Sequence, residues 1–201
     1  MNQIDILIEG YAKITSNGWD ASSTCTLISS NNKKIIVDPG SNRDLLFEKL
    51  KERNLSLEDI DMVFITHHHL DHAMNVGLFP NAKVIDEEAV YTQAIAVEGV
   101  KMLPDTDITV VATPGHEYAH ASLVVPTKEG TVVVAGDCFW FEEGVQEEFI
   151  ADGKIVNVQK LLIKHDDFAE KMDELVSSRK MLLDLADWII PGHGKMFANK
   201  K

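Results

Sequence analysis

The amino-acid sequence predicts a layered α/β domain, and three observations lead to that class. Short apolar strands come in two batches, helical patterns lie among them, and no repeat, linker or shift in composition divides the 201 residues. With 45% hydrophobic residues, a chain of this length can bury a core without a disulfide or a metal. We therefore expect one domain over residues 1–201, and two sheets sandwiched by helices is an arrangement that fits this order.

The first batch of strands precedes a helix. Strands are predicted at residues 4–9, 24–29 and 35–38, and Asp38-Pro39-Gly40 ends the third. Ser41 followed by Asp44 is an N-cap pattern, and apolar residues at 46, 47 and 50 lie on one helical face. Together these patterns predict a helix over residues 42–53.

The second batch begins with a wholly apolar run at residues 62–65, typical of a strand buried on both faces. Further strands are predicted at residues 83–85, 108–112, 122–125 and 131–135, the last two joined by a hairpin across Lys128-Glu129-Gly130. A helical period over residues 168–186 predicts the last helix. A final strand at residues 188–190 is stopped by Pro191-Gly192.

Charge and cysteine content disfavour several classes of function. Nineteen Lys and Arg residues against 32 Asp and Glu residues give a net charge of −13, which disfavours non-specific binding to nucleic acid. Cys25 and Cys138 lie in strand-like runs, and we interpret both as small buried apolar residues. No apolar run approaches the ~18 residues of a membrane span, and the first residues do not form a signal peptide. We therefore expect a cytoplasmic protein without a membrane partner.

Histidines and aspartates follow four of the predicted strands. These side chains are His67, His69, Asp71 and His72 after strand 62–65, His116 after strand 108–112, Asp137 after strand 131–135 and His193 after strand 188–190. Because strand ends in α/β sheets converge at one rim, we expect them to lie close together. In an extended segment residues i and i+2 point the same way, so His67 and His69 can face one metal ion.

The spacing indicates two neighbouring metal ions. Asp71 and His72 fall where a helix is expected to begin, so they turn towards a different point. We assign the first ion to His67, His69 and His116, and the second to Asp71, His72 and His193. Asp137 is the predicted bridge, since its two oxygens can bind two cations. Imidazole and carboxylate ligands suit Zn, Fe or Mn, and the sequence does not choose among them.

The pattern His67-x-His69-x-Asp71-His72, followed in order by His116, Asp137 and His193, resembles the metallo-β-lactamase superfamily. Asp38 matches the family's first, structural Asp. The resemblance implies an αββα sandwich of two mixed β-sheets flanked by helices, with a dinuclear site at one edge. It also implies two divalent metal ions per chain, with zinc as the preferred metal, and a homodimer.

The chain departs from two branches of that superfamily. The most familiar β-lactamases have Cys where Asp137 stands, and Cys138 is one residue too late to replace it. Flavodiiron proteins carry Glu at the position of His69, so a redox diiron site of that kind is not expected.

Three further residues are candidates for supporting roles. We expect Asp38 to orient a ligand or a loop from outside the metal's own ligands. Trp140, within Phe139-Trp140-Phe141, either walls the substrate pocket or packs in the core. His120 is either a hydrogen-bonded loop histidine, which we prefer, or a proton donor to the leaving group or a substrate contact.

Three other polar residues have simpler interpretations. We expect His68 to fill space beside the ligands or to support them. His165, beside two aspartates, is interpreted as an exposed cap of the last helix. Lys195 is either a contact for an anionic substrate group or a solvated surface lysine, and we prefer the second interpretation.

The expected reaction is hydrolysis of an ester-like bond by a metal-bridging hydroxide, with one ion polarising the scissile oxygen. Asp71 and Asp137 are the catalytic candidates, because both can hold the nucleophile. A small-molecule ester, thioester or lactone suits the acidic surface. A phosphodiester such as RNA is allowed by the resemblance and disfavoured by the charge. As an alternative from another class, a mononuclear-iron persulfide dioxygenase uses a similar His and Asp set.

Overall fold

The computed structural model describes residues 1–199. Its strands, in chain order, are β1 (Gln3–Ile8), β2 (Tyr11–Thr15), β3 (Gly18–Ser22), β4 (Cys25–Ser30), β5 (Lys33–Val37), β6 (Met62–Phe64), β7 (Lys83–Ile85), β8 (Ala89–Thr92), β9 (Ile95–Glu98), β10 (Thr109–Ala112), β11 (Ala121–Thr127), β12 (Gly130–Val134), β13 (Ile150–Ala151), β14 (Lys154–Ile155), β15 (Trp188–Ile190) and β16 (Phe197–Ala198). Its α-helices are α1 (Arg43–Glu52), α2 (Leu70–Ala73), α3 (Val158–Leu162) and α4 (Met172–Leu185). Single 3₁₀ turns lie at Leu57–Asp59, Val76–Leu78, Gly136–Cys138 and Gln146–Glu148.

The strands form two mixed seven-stranded sheets and one separate hairpin. The first sheet has the order β1-β4-β5-β6-β7-β8-β9, with parallel pairing between β5, β6 and β7 and antiparallel pairing elsewhere. The second has the order β10-β11-β12-β15-β16-β14-β13, with parallel pairs at β12–β15 and β14–β16. Strands β2 and β3 pair only with each other.

A central apolar core lies between the two sheets. Ile35 and Val37 of the first sheet and Val132 and Val134 of the second belong to one buried cluster. Successive strand residues point to opposite faces, so the residues between them must face outward. The inner face of each sheet therefore packs on the other, and the outer faces are left for helices.

Each outer face is covered by one of the long helices. Ile36, between Ile35 and Val37, packs in a cluster with Leu46 and Leu50 of α1. Val133 packs in a third cluster with Leu175 and Leu182 of α4. Full burial of one such side chain stabilises the fold by about 1.5–3 kcal/mol. The layers are therefore α, β, β and α, which confirms the sandwich implied by the resemblance.

The predicted strands agree with the structure to within two residues at either end. The hairpin across Lys128-Glu129-Gly130 is also confirmed, with Thr127 opposite Gly130. Cys25 and Cys138 are buried and free, as expected. A single domain over residues 1–201 stays a prediction, and residues 200 and 201 lie outside the described part. Among the helices of residues 1–199, none combines the length and apolar character that crossing a bilayer requires.

Two predicted helix starts are wrong. Helix α1 is capped by Asn42, whose Oδ1 accepts a hydrogen bond from Leu45 N at 3.2 Å. The Ser41 hydroxyl instead donates to the Ala21 carbonyl at 2.9 Å. Helix α4 begins only at Met172. His165 is exposed, as expected, but it lies too early in the chain to cap this helix. The intervening chain turns instead at Asp166, whose Oδ1 accepts from Phe168 N at 3.0 Å and competes with helix formation.

Several elements were not predicted from the sequence. They are the hairpins β2–β3 and β8–β9, the short strands β13, β14 and β16, and the short helix α3. The β2–β3 hairpin matters most for function, because its exposed Ile14 and Trp19 line the cavity described below.

Candidate metal centre

Loops that follow four strands, β6, β10, β12 and β15, meet at one edge of the sandwich. The described side chains that they bring together form two sets, each with its donor atoms within 4.8 Å of one another. The first set is His67, His69, His116 and Asp137, and the second is Asp71, His72 and His193. All seven residues predicted as metal ligands thus lie together, in the two groups that the spacing indicated.

Asp137 lies between the two sets and presents one oxygen to each. Its Oδ2 is 3.4 Å from His116 Nε2 and 3.9 Å from His67 Nε2. Its Oδ1 is 3.2 Å from His72 Nε2 and 3.7 Å from His193 Nε2. A carboxylate in this position is suited to bridge two cations.

The hydrogen bond on the far side of His67 fixes which of its nitrogens faces the site. The Thr66 hydroxyl donates to Asp38 Oδ2 at 2.8 Å, so its oxygen is free to accept from His67 Nδ1 at 3.0 Å. His67 therefore carries its proton on Nδ1. The bare lone pair of Nε2 points into the first set, 3.0 Å from His69 Nδ1.

Three other rings are held in the same way. Nδ1 of His72 lies 2.9 Å from Asp38 Oδ2, and Nδ1 of His116 lies 2.8 Å from Asp166 Oδ2. Nδ1 of His193 lies 3.0 Å from the Tyr11 carbonyl oxygen. Each of these acceptors requires a proton on Nδ1 and leaves Nε2 as a lone-pair donor towards the centre.

This donor set fits metal ions better than it fits internal hydrogen bonding. The inner nitrogens would face one another as lone pairs unless a proton or a cation lay between them, with His72 Nε2 and His193 Nε2 only 3.3 Å apart. The Oδ1 atom of Asp137 is buried and has no hydrogen-bond partner. Gly192 keeps that oxygen's position free, since a Cβ at residue 192 would overlap it. Converging unprotonated nitrogens and an unpaired carboxylate oxygen are what a cation satisfies.

Burial and neighbouring charge set the protonation of the central groups. Burial opposes ionisation of Asp137, but the surrounding imidazoles, His72 foremost, hold the pKa of its carboxyl well below the ordinary value. Burial also opposes a charge on His72, yet Asp137 and Asp38 hold the pKa of that ring well above the ordinary value. Burial and the His72 ring together lower the pKa of His67 well below its usual range. The site favours positive charge beside an ionised Asp137, which a divalent ion would supply in place of a proton.

Asp38 contacts the site from outside the two donor sets, which agrees with its predicted supporting role. Its backbone adopts a left-handed φ of 48°, directly after β5. The carboxylate accepts from Thr66 N at 2.8 Å, from the Thr66 hydroxyl and from His72. One buried carboxylate thus orients His72 directly and His67 through Thr66, while not being a member of either donor set.

Asp166 is a functional candidate that the sequence did not reveal. It is buried, and its carboxylate holds the His116 ring from a loop fifty residues further along the chain. Burial opposes its ionisation, but the hydrogen bond to His116 lowers the pKa of its carboxyl overall. The neighbouring His165-Asp166-Asp167 run was interpreted as an exposed helix start, which hid its role.

His120 and Trp140 are the two residues for which the sequence left alternative roles open. His120 is buried and its Nδ1 lies 2.8 Å from the Thr113 hydroxyl, which agrees with the preferred hydrogen-bonded role, although it directly precedes β11. Burial and the His116 ring lower the pKa of His120 to about 3, so it is neutral at physiological pH. Trp140 lines the cavity, whereas Phe139 and Phe141 pack in the core.

His68 and Lys195 do not face the cavity. The His68 ring is about half exposed and lies 3.1 Å from Asp86, away from both donor sets. Lys195 is exposed, and its backbone exchanges hydrogen bonds with the Gln146 side chain at 2.8 and 2.7 Å. The solvated interpretation of Lys195 agrees with this position.

A cavity of about 500 Å³ opens over the two sets. His69, Asp71, His116, Asp137 and His193 form its floor. The rest of its lining comes from the β2–β3 hairpin, the start of α2, Trp140 and Phe168. A substrate entering this cavity would meet the metal donors at its base.

Comparisons with known proteins agree with this fold and site. The family model of the metallo-beta-lactamase superfamily matches residues 18–98. The chain is 32% identical over 206 residues to metallo-beta-lactamase domain-containing protein 1 of Xenopus laevis, covering 98% of this chain and 81% of that protein. A candidate metallo-beta-lactamase from Thermotoga maritima has a TM-score of 0.72 at 23% identity, covering 98% and 99% of the two chains. A dizinc quorum-quenching lactonase in complex with a product has a TM-score of 0.60 at 14% identity, covering 88% of this chain and 74% of its own.

The αββα sandwich and the cluster of His and Asp residues at its edge place this protein in the class of metal-dependent hydrolase folds. With these relatives, the chain belongs to the metallo-beta-lactamase superfamily, as the sequence motifs indicated.

Proposed function

We propose that this protein is a hydrolase that uses two divalent metal ions to cleave an ester-like bond, and that these ions are zinc. The observation that carries the proposal is the position of Asp137, with Oδ2 facing one donor set and Oδ1 facing the other. A carboxylate so placed favours a pair of ions over a single one.

The residues have separate roles in this proposal. His67, His69 and His116 would hold one ion, Asp71, His72 and His193 would hold the other, and Asp137, which lies between the two sets, would be shared by both. Two such ions supply a water that ionises near neutral pH and a Lewis acid for the scissile carbonyl or phosphoryl oxygen. Asp71 and Asp137 orient that water by accepting its proton in a hydrogen bond. Asp38 and Asp166 keep the rings in the tautomers that bind metal.

The candidate substrates are a small-molecule ester, thioester or lactone and a phosphodiester such as RNA. The similar dizinc lactonase acts on an ester-like bond, which supports the first kind for this chain. The net charge of −13 weighs against a polynucleotide, because long-range repulsion slows its approach. A homodimer, implied by the resemblance, is proposed on that basis alone, and the molar mass in solution would test it.

Metal analysis of purified protein tests the proposal. We expect two ions per chain, loss of at least one of them in Asp137→Asn, and loss of ester hydrolysis in the same variant. Asp173→Asn, at an exposed position in the first turn of α4, serves as the matched control and should keep both ions and activity. Full activity of Asp137→Asn with two bound ions would contradict the proposal.

A different metal count would favour the alternative function. One iron per chain, together with oxygen consumption in the presence of glutathione persulfide, would identify a persulfide dioxygenase instead of a hydrolase.

A further inference from the structure

One wall of the cavity is aromatic. The Trp19 and Phe168 rings meet edge to face with their centroids 5.3 Å apart, and Trp140 continues the row 5.8 Å from Phe168. These rings come from the β2–β3 hairpin, from the turn after Asp137 and from the loop before α4. Three unrelated segments therefore converge to present ring surface directly beside the donor sets.

The cavity lining also includes exposed aliphatic side chains. Ile14 is 59% exposed, Leu70 is 68% exposed and Met74 is 56% exposed, and all three line the cavity. Trp19, the cross-strand partner of Ile14 on the β2–β3 hairpin, is 65% exposed. A cluster of exposed apolar side chains around a concave site is the usual mark of an apolar ligand group, because covering them removes that surface from water.

The cavity offers little to a polyanion. Among its described lining residues, Lys13 is the one lysine or arginine, and its Nζ is paired with Glu143 at 3.2 Å. Glu142 adds a further carboxylate to the rim. A polynucleotide carries a charge on every phosphate, so its binding needs several unpaired cations along its path. The two candidate substrate kinds are therefore not equally suited to these walls.

Resting on the hydrolase function proposed above, we infer that the substrate is a neutral carboxylic ester, thioester or lactone bearing an alkyl chain or ring. The apolar group contacts the Trp19, Phe168 and Trp140 rings and the aliphatic side chains of Ile14, Leu70 and Met74 that line the same cavity. The scissile carbonyl then lies over the donor sets at the floor. Phosphodiesters of polynucleotides are excluded from this role.

A series of uncharged esters tests the inference. Methyl acetate, methyl hexanoate and hexyl acetate are compared on the metal-loaded protein by proton release, and each kcat/KM is divided by the ester's alkaline hydrolysis rate. We expect at least one of the two long esters to exceed methyl acetate by tenfold or more. Complete burial of a methylene group would raise kcat/KM by about fourfold. The increase expected here is smaller per methylene, because the cavity is half open to solvent.

Matched variants test whether the apolar side chains of the cavity cause the preference for long esters. Ile14→Ala and Trp19→Ala should each lower the ratio of long-ester to methyl acetate kcat/KM by at least threefold. Ile95→Ala removes an equally exposed isoleucine from β9, outside the cavity, and should leave that ratio unchanged. Equal ratios in all three variants would overturn the inference.

A binding measurement separates this inference from the hydrolase proposal. Hexanamide and acetamide are titrated while the fluorescence of Trp19 and Trp140 is followed. Tighter binding of hexanamide, weakened by Ile14→Ala, supports the apolar subsite even if no ester is cleaved, in which case only the hydrolase proposal fails. Equal binding of the two amides, or cleavage of an RNA oligonucleotide with a higher kcat/KM than every ester, overturns the inference.

Discussion

The bare Cα of Gly192 determines where the Asp137 carboxylate can lie. A Cβ at this position would overlap Asp137 Oδ1 and press on the carbonyl carbon of Gly136. The amide of Gly192 also donates to the carbonyls of Gly136 and Phe139 at 2.8 and 2.9 Å, so its backbone cannot retreat without losing both hydrogen bonds. One absent methyl group thus fixes the residue that links the two donor sets.

We expect Gly192→Ala to lose at least one bound ion and to lower hydrolysis by about 100-fold, the usual cost of moving a reacting group by about 1 Å. Metal content per chain and kcat measure the effect. Gly77→Ala is the control, because a Cβ there would meet no atom within 4 Å. Wild-type metal content in Gly192→Ala would show that the carboxylate has room to move.

Asp166 provides a second prediction at this scale. Removing its carboxylate in Asp166→Ala leaves His116 Nδ1 without its acceptor, so the ring can rotate or change tautomer. We expect a fall of about 10–100-fold in metal affinity, measured by competition with a chelating dye. Asp167→Ala alters the adjacent, exposed aspartate and should leave the affinity unchanged.

At the scale of elements, helix α4 braces the loops that carry two site residues. Arg179 is almost fully buried, and its Nε donates to the Cys138 carbonyl at 2.7 Å. Its Nη1 donates to the carbonyls of Leu162 and Lys164 at 3.1 and 2.5 Å. One side chain therefore ties the turn that holds Asp137 to the segment that leads into Asp166.

Arg179→Met should lower the free energy of unfolding by about 3 kcal/mol, because the buried Cys138 carbonyl and the partly buried Leu162 and Lys164 carbonyls lose their donor. Urea denaturation followed by circular dichroism measures this change. Lys180→Met, at the exposed neighbouring position on the same helix, should stay within about 0.5 kcal/mol of wild type. A similar loss of unfolding free energy in both variants would show that the hydrogen bonds of Arg179 do not stabilise these loops.

Elements with a clear apolar period were predicted well, and those without one were not. Strands such as β6 and β15 are short apolar runs that end at polar or Gly-Pro signals, so their ends could be placed. The β2–β3 hairpin has no apolar alternation, and the Asn17-Gly18 pair was the one signal that could have revealed it. Strands β8 and β9 turn at Gln93, with a φ of 54°, where no Gly or Asn announces a turn.

The same limit applies to the site. Its donors could be predicted because each directly follows a strand, and strand ends share a rim. Asp166 and the Tyr11 carbonyl could not, because they reach His116 and His193 from loops whose course depends on tertiary packing. Nothing local in the sequence encodes those two contacts.

At the scale of the whole molecule, three apolar clusters hold the sandwich without involving the metal donors. We therefore expect the protein to remain folded after chelation, with unchanged far-ultraviolet circular dichroism. Ions present at about 1,000 times their dissociation constant add about 4 kcal/mol to the native state. For a chain of this size, their removal should lower Tm by about 10 °C.

The variant Asp137→Asn is the matched control for this prediction, since chelation should shift its Tm by much less. Unfolding of the wild type on chelation would show that the apolar clusters are insufficient on their own. An identical Tm with and without chelator would show that no ion binds the native state.

Each donor set draws on both sheets, and this has a consequence for biosynthesis. His67, His69, Asp71 and His72 follow β6 of the first sheet, whereas His116, Asp137 and His193 follow strands of the second. Because synthesis runs from the N-terminus, a nascent chain on the ribosome has the first group long before it has the second. Neither donor set is complete until the later segments have been translated, and the second set is completed only by His193. If the protein binds the proposed ions, we expect it to acquire them only late in its synthesis.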